Sequence, residues 1–159
     1  MHIRRAHPSD TDTIVRLIRE LAEYERELDA VEASEFTLHD TLFGGDPRAF
    51  CDLVEVESGD VGMAIWLLNY STWQAKYGID LEDLYVRPVA RGRGYGLALL
   101  QHRAQLCVVN AYGRFQWSVL DWNQSTIDFY VSLGAVPLDE WTTYRVTGPA
   151  LTKLAQLHN

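Results

Sequence analysis

Apolar and polar positions along this chain recur with two periods, which together predict a mixture of helices and strands. The helical period is clearest in the second half, where one face of a predicted helix carries Leu97, Leu100, Ala104, Val108 and Ala111. A first helix is predicted after Ser9 or Asp10, either of which suits an N-cap. Its expected buried face consists of Ile14, Leu17, Ile18 and Leu21.

Strand-like runs, rich in β-branched and aromatic residues, complete the pattern. They occur at residues 3–6, 50–57, 61–70, 81–86, 115–120 and 141–147. Shorter helices are predicted near residues 36–43 and 124–133 and after Pro149. Strands and helices mix without strict alternation, which predicts an α/β fold with a mixed sheet of about six strands flanked by helices. A chain of 159 residues suits a single domain over residues 1–159.

The charge of the chain narrows the range of partners. Its formal net charge is −8, which argues against nucleic acid, because a phosphate backbone requires a positive protein surface. An acidic surface instead suits a small cationic molecule. The chain has no run of eighteen apolar residues and no apolar signal segment after Met1, so we expect no membrane partner and a cytoplasmic location.

Metal chemistry is not indicated by the cysteines or the histidines. Cys51 and Cys107 lie far apart in apolar stretches and are expected to be core residues. The histidines are scattered and form no metal-ligand spacing with a cysteine or an acid: His2, His7, His39, His102 and His158. The sequence therefore predicts no metal site.

A basic, glycine-rich turn lies between the predicted strand Leu81–Val86 and the long predicted helix. The first N–H groups of a helix have no partner inside the helix, so this arrangement can cradle a phosphate. Glycine lets the backbone approach the ligand, and Arg91 and Arg93 add positive charge to an otherwise acidic chain. The turn is therefore a candidate phosphate loop.

Three alternatives compete for this turn. A P-loop would need Gly-Lys-Ser/Thr, which is absent. A dinucleotide-binding fold needs G-x-G-x-x-G, and although Gly92 and Gly94 fit, the third position is Leu97. Asp121 could nonetheless serve as a ribose-binding acid at the end of the next strand. The remaining alternative is a glycine-rich capped turn without a ligand.

Two blocks of the sequence resemble a known family. Arg91, Gly94 and Gly96 form the pattern Arg-x-x-Gly-x-Gly, which resembles the acetyl-CoA signature of the GNAT acetyltransferases. The second block, residues 121–135 with Asn123 and the Phe129-Tyr130 pair, resembles the second half of the GNAT core. The finer resemblance is to the diamine acetyltransferase group, which contains spermidine/spermine and thialysine N-ε-acetyltransferases, and it covers most of the chain.

The resemblance implies acetyl-CoA as cosubstrate, a GNAT fold and a homodimer. It implies that the cofactor is bound by Leu84, Tyr85, Val86, Arg91, Gly92, Arg93, Gly94, Tyr95, Gly96, Leu97, Asn123 and Thr126. It further implies that the amine is bound by Tyr24, Glu25 and Glu82, and that Glu82 and Tyr130 are catalytic. From the residues alone, the acidic end of the first helix could equally be a solvated face, and Tyr130 a core tyrosine.

The implied chemistry gives these residues distinct tasks. An alkylammonium, with a reference pKa near 10.4, must lose a proton before it can attack a thioester. Glu82 or a water chain could take that proton, and Tyr130 could donate one to the leaving thiolate. Because side chains alternate along a strand, Asp83 should face away from Glu82 and pair with a core arginine. The backbone edge of Leu84, Tyr85 and Val86 could also pair with the amides of the cofactor arm.

Three functions are compatible with these observations. The first is acetyl transfer to a primary amine of a polyamine or a lysine-like molecule. The second is a CoA-binding module that has lost catalysis, against which the presence of both Asn123 and Tyr130 argues. The third is acetylation of a protein N-terminus, against which the acidic cluster at Tyr24, Glu25 and Glu82 argues, because it favours a compact cation.

Overall fold

A computed structural model describes residues 1–157 and contains one five-stranded sheet. The strands are β1 His2–Arg5, β2 Ala49–Val56, β3 Gly59–Ser71, β4 Lys76–Val86 and β5 Phe115–Trp117, and their spatial order follows the chain. Neighbours are antiparallel except β4 and β5, which are parallel. The mixed α/β sheet is therefore confirmed.

The expected strand count of about six was too high by one. Residues 141–147 form no regular secondary structure. Alternating side chains show only that a segment can be extended, whereas a strand also needs a neighbour to accept and donate its backbone hydrogen bonds. Alternation alone could not distinguish these two cases.

Five α-helices accompany the sheet in the described part of the chain. They are α1 Thr11–Glu25, α2 Glu35–Phe43, α3 Tyr95–Val109, α4 Gln124–Ser132 and α5 Gly148–Ala155. Asp10 is the N-cap residue of α1, as expected. The side chain of Ser34 caps α2 by accepting a hydrogen bond from the Thr37 N–H at 3.2 Å. Of the five histidines, His158 lies outside the described residues.

The main core lies between one face of the sheet and helices α1 and α2. The predicted α1 face is confirmed, since Ile14 and Leu17 are fully buried and Leu21 is nearly so. They pack with a sheet face that includes Met63, Ile65 and Tyr85. This packing fixes which side chains of β4 point toward α1.

The buried face of α3 differs from the predicted one. It consists of Leu99, Leu100, Arg103 and Cys107, whereas Val108 is 80% exposed. Arg103 is the reason, because its guanidinium is buried against the sheet, 3.1 Å from the Asp52 carboxylate. A hydrophobic pattern cannot assign an arginine to a core face. The prediction therefore chose an adjacent face of the helix, which includes Ala104 and Val108 in place of Arg103 and Cys107.

The chain separates into two compact units. Residues 1–118 hold the whole sheet with α1, α2 and α3, and residues 119–159 contain α4 and α5. A single domain over residues 1–159 stays a prediction. Within residues 1–157, none of the helices combines the length and the apolar character needed to cross a membrane.

Candidate active site

The glycine-rich turn leads directly into α3. Gly94 is the N-cap residue with a φ of 81°, and Gly92 has a φ of 74°. Both values lie in the left-handed region that favours glycine. A Cβ atom at either position would meet no atom within 4 Å, so the space above the turn is open. These two glycines thus leave a bare backbone surface at a helix N-terminus.

The amides at this N-terminus are available to an anion. The Ala98 N–H donates to the Gly94 carbonyl at 2.9 Å, and it is the first intrahelical bond of α3. The amides of Tyr95, Gly96 and Leu97 therefore precede the hydrogen-bond ladder. With exposed Arg91 and Arg93 beside them, these groups fit a pyrophosphate.

Strand β4 carries a bulge at Glu82, just before residues 84–86, which lead into the glycine-rich turn. Ile65 pairs with Asp83 and Trp66 pairs with Leu81, so Glu82 is the extra residue and has no partner opposite it. Glu82 is exposed at this bulge. Asp83 pairs with Ile65 and lies two residues before buried Tyr85, so it faces the α1 side of the sheet.

The predicted ion pair between Asp83 and a core arginine is wrong. The expected core arginine is absent, since no arginine, lysine or histidine nitrogen among residues 1–157 lies within 4.0 Å of its carboxylate. Burial and, after it, the neighbouring charges of Glu82 and Glu25 raise the pKa of Asp83 to about 6. Burial, followed by the charge of Glu27, also raises the pKa of Glu25.

Glu25, Glu82 and Asp83 therefore form a carboxyl cluster where the end of α1 meets the bulge of β4. Two of its members were predicted, and Asp83 was missed as a candidate site residue. The sequence analysis assumed strict alternation of side chains along β4. The bulge at Glu82 breaks that alternation, so the face on which Asp83 lies could not be assigned by counting residues. The sequence did contain a signal for this cluster. Two consecutive carboxylates, Glu82 and Asp83, occur in a chain whose first predicted helix also ends in acidic residues.

Tyr24 and Arg91 link the end of α1 to the glycine-rich turn. The Arg91 Cζ atom lies 4.6 Å from the centroid of the Tyr24 ring and 5.8 Å from that of the Tyr85 ring. Its Nε–H donates to the Val86 carbonyl at 3.0 Å. The predicted amine-binding Tyr24 thus contacts a predicted cofactor-binding residue.

A second ion pair ties α1 to the start of the same turn. Arg87 donates from Nε to both Glu20 oxygens at 3.1 and 2.9 Å and from Nη2 at 2.8 Å. Its Nη1 donates to the Asp60 carbonyl at 3.1 Å. This fork geometry is the strong form of an ion pair. It holds α1 against the carboxyl end of β4.

The remaining predicted residues belong to the second unit. Asn123 is the N-cap residue of α4, where its carbonyl accepts from Thr126 and Ile127, and its side chain makes no capping bond. Tyr130 is buried, its ring centroid lies 5.6 Å from that of Phe129, and burial raises its pKa to about 12. Its hydroxyl is therefore protonated throughout the neutral range.

The described residues bring the first-unit predictions together around β4. Leu84, Tyr85 and Val86 lie between the carboxyl cluster and the turn, and Tyr24 and Glu25 approach from α1. No group of three or more histidine, cysteine, aspartate or glutamate side chains suited to a metal occurs within residues 1–157.

Comparisons with known proteins show the family to which the chain belongs. A sequence profile of the acetyltransferase (GNAT) family matches residues 14–135. Thialysine N-epsilon-acetyltransferase of Bos taurus is 38% identical and aligned over 96% of each chain. Spermidine/spermine N(1)-acetyltransferase-like protein 1 of Homo sapiens is 34% identical over 96% of this chain, which spans 23% of that longer protein.

The fold has close counterparts among solved structures. The integron cassette protein VCH_CASS6 from V. cholerae superimposes with a TM-score of 0.82 at 26% identity, covering 98% of both chains. The family profile covers most of the first unit, including the glycine-rich turn, and extends to Ala135. The chain belongs to the GNAT family and is an acetyltransferase.

Proposed function

We propose that this enzyme transfers the acetyl group of acetyl-CoA to a primary amine of a small cationic substrate, of the polyamine or thialysine class. The observation that carries the proposal is the carboxyl cluster of Glu25, Glu82 and Asp83, in which Asp83 is largely buried and is repelled by the charges of Glu82 and Glu25. A cation relieves that repulsion, so the cluster favours a positively charged ligand. The curated relatives named above support the same class of acceptor.

GNAT acetyltransferases use acetyl-CoA, which supplies an activated thioester. We assign its pyrophosphate to the amides of residues 95–97 and to Arg91 and Arg93. Gly92 and Gly94 support this assignment, because the space above them is open. We assign the pantetheine arm to the backbone of Leu84–Val86, with Asn123 and Thr126 as further contacts.

The carboxyl cluster provides a route for the amine proton. An ammonium group bound near Asp83 would favour the ionised carboxylate and lower a pKa that now stands at about 6. Exposed Glu82, one residue away, or a water in contact with it, would accept the amine proton first, which leaves the amine nitrogen a lone pair with which to attack the acetyl carbon. The distal cation of a diamine would remain charged beside Glu25.

Tyr130 would complete the reaction. As the carbon–sulfur bond breaks, the departing thiolate takes a proton that a tyrosine hydroxyl can donate. A pKa raised to about 12 keeps that proton in place until it is needed. The attacking nitrogen would release its second proton to water, from which the hydroxyl would be restored. A backbone N–H of β4 would stabilise the developing oxyanion.

A panel of amines with acetyl-CoA tests the proposal. We expect turnover with spermidine and thialysine. We expect a much lower kcat/KM with an alkylamine of the same length as spermidine that has no second charged group. Turnover of protein N-termini in preference to all small amines would contradict it. A homodimer and a cytoplasmic location stay predictions, and light scattering would test the first.

A further inference from the structure

The position of Tyr24 separates it from the carboxyl cluster. Tyr24 and Glu25 are adjacent on α1, so their side chains leave the helix about 100° apart. Glu25 interacts electrostatically with Asp83, whereas the Tyr24 ring lies against the Arg91 guanidinium at 4.6 Å. Neighbouring residues of one helix end thus serve two different parts of the site.

Arg91 is held from two directions. Its Nε–H donates to the Val86 carbonyl at 3.0 Å, and its guanidinium stacks within cation–π distance of Tyr24. With Nε used by Val86, the donors that Arg91 can direct at an anion are those on Nη1 and Nη2. The Tyr24 ring therefore restricts the orientation of the donors that would face a phosphate.

The same contact disfavours a substrate ammonium at Tyr24. A guanidinium already lies against this ring, and a second cation beside it would be repelled at short range. The carboxyl cluster offers an ammonium a better position, since it lacks a neighbouring cation within 4.0 Å of Asp83 among the described residues.

We propose that Tyr24 is a positioning residue for the phosphate loop, which acts through Arg91 on acetyl-CoA binding and does not bind the amine. This inference rests on the assignment of Arg91 to the pyrophosphate under the proposed function. It predicts that the ring of Tyr24 affects cofactor affinity, an effect that an amine contact or a purely structural residue would not produce.

Calorimetric titration of acetyl-CoA tests the inference without turnover. We expect Tyr24→Leu to weaken acetyl-CoA binding about two- to fivefold, the range of an exposed cation–π contact. Tyr24→Phe, which keeps the ring, should bind within about twofold of wild type. Tyr112→Leu is the matched control, because it removes a tyrosine ring just beyond the opposite end of α3 and should not change the affinity.

A double-mutant cycle with Arg91→Ala identifies the route of the effect. In that background, Tyr24→Leu should cause no further loss of acetyl-CoA affinity. The KM for spermidine at saturating acetyl-CoA should change by less than about twofold in Tyr24→Leu. Unchanged acetyl-CoA affinity combined with a raised amine KM would overturn the inference, as would a Tyr24→Phe loss equal to that of Tyr24→Leu.

Failure of the proposed function gives a different result. If wild type binds acetyl-CoA but acetylates none of the amines, the substrate proposal fails, and the binding series still decides the role of Tyr24. If wild type does not bind acetyl-CoA at all, both proposals are overturned.

Discussion

Asp83→Asn should make the protein more stable than wild type at pH 8, by a margin that is absent at acidic pH. The substitution keeps the size of the side chain and removes its charge. In the unfolded chain Asp83 ionises near its ordinary pKa of 3.8, whereas in the folded protein burial and the charges of Glu82 and Glu25 raise the pKa to about 6. The folded state therefore resists an ionisation that the unfolded state accepts.

The size of the effect follows from that difference in pKa. At about 1.36 kcal/mol per pKa unit, it corresponds to at most about 3 kcal/mol in the free energy of unfolding. Since the folded state retains the proton between pH 3.8 and about 6, the Asp83 contribution to stability is complete below pH 3.8 and is lost as pH rises through about 6. The amide of the Asp83→Asn variant would not titrate, so its gain over wild type should develop over this pH range.

Urea denaturation of wild type and variant from about pH 4 to about pH 8 measures the difference directly. Glu57→Gln is the matched control, because it removes an exposed carboxylate between β2 and β3 that is not among the charges acting on Asp83, and we expect a change within about 0.5 kcal/mol. A carbon-13 NMR titration of the aspartate carboxyl gives the folded pKa independently. An Asp83→Asn difference that is the same at both ends of the pH range would refute the reasoning and place Asp83 in contact with bulk water.

Three further predictions concern catalysis and binding. Tyr130→Phe should lower kcat about 100- to 10,000-fold with little change in acetyl-CoA affinity, and full turnover in a folded variant would show the hydroxyl to be dispensable. Glu25→Gln should raise the KM for spermidine more than the KM for a monoamine. The difference should correspond to about 0.2–1 kcal/mol in binding free energy and should shrink at high salt, whereas an equal rise in KM for both substrates would exclude charge selection. Gly94→Glu should abolish acetyl-CoA binding in calorimetry, while Gly94→Asn, which tolerates the φ of 81°, should retain more of it. Unchanged acetyl-CoA affinity in a folded Gly94→Glu variant would exclude a phosphate at this turn.

Much of the fold was predictable because local rules and packing agree over most of the chain. The α1 face of Ile14 and Leu17 and the glycine-rich entrance to α3 both follow from short sequence patterns. The α3 face did not, because buried Arg103 pairs with Asp52, which is fifty-one residues earlier in the chain. Such an ion pair depends on tertiary contact, which periodicity does not contain.

The candidate site was predictable in its residue types and less so in its geometry. Glu82 and Glu25 were named from the sequence, and the structure places them near Asp83, which was expected to pair with a core arginine. The stacking of Arg91 on Tyr24 joins residues sixty-seven positions apart and has no sequence signature. Both features depend on how β4 meets α1.

The bulge in β4 makes residue spacing, as distinct from residue identity, a determinant of chemistry. Leu81 and Asp83 are two positions apart, yet Leu81 pairs with Trp66 and Asp83 with Ile65, on opposite faces of the sheet. If the strand kept all its residues but paired without the bulge, Leu81 and Asp83 would lie on the same face of the sheet. Either the carboxylate or the leucine would then occupy the face that suits the other. Enzyme engineers who graft new acceptor preferences onto this scaffold therefore need to preserve the bulge before they choose the side chains of the strand.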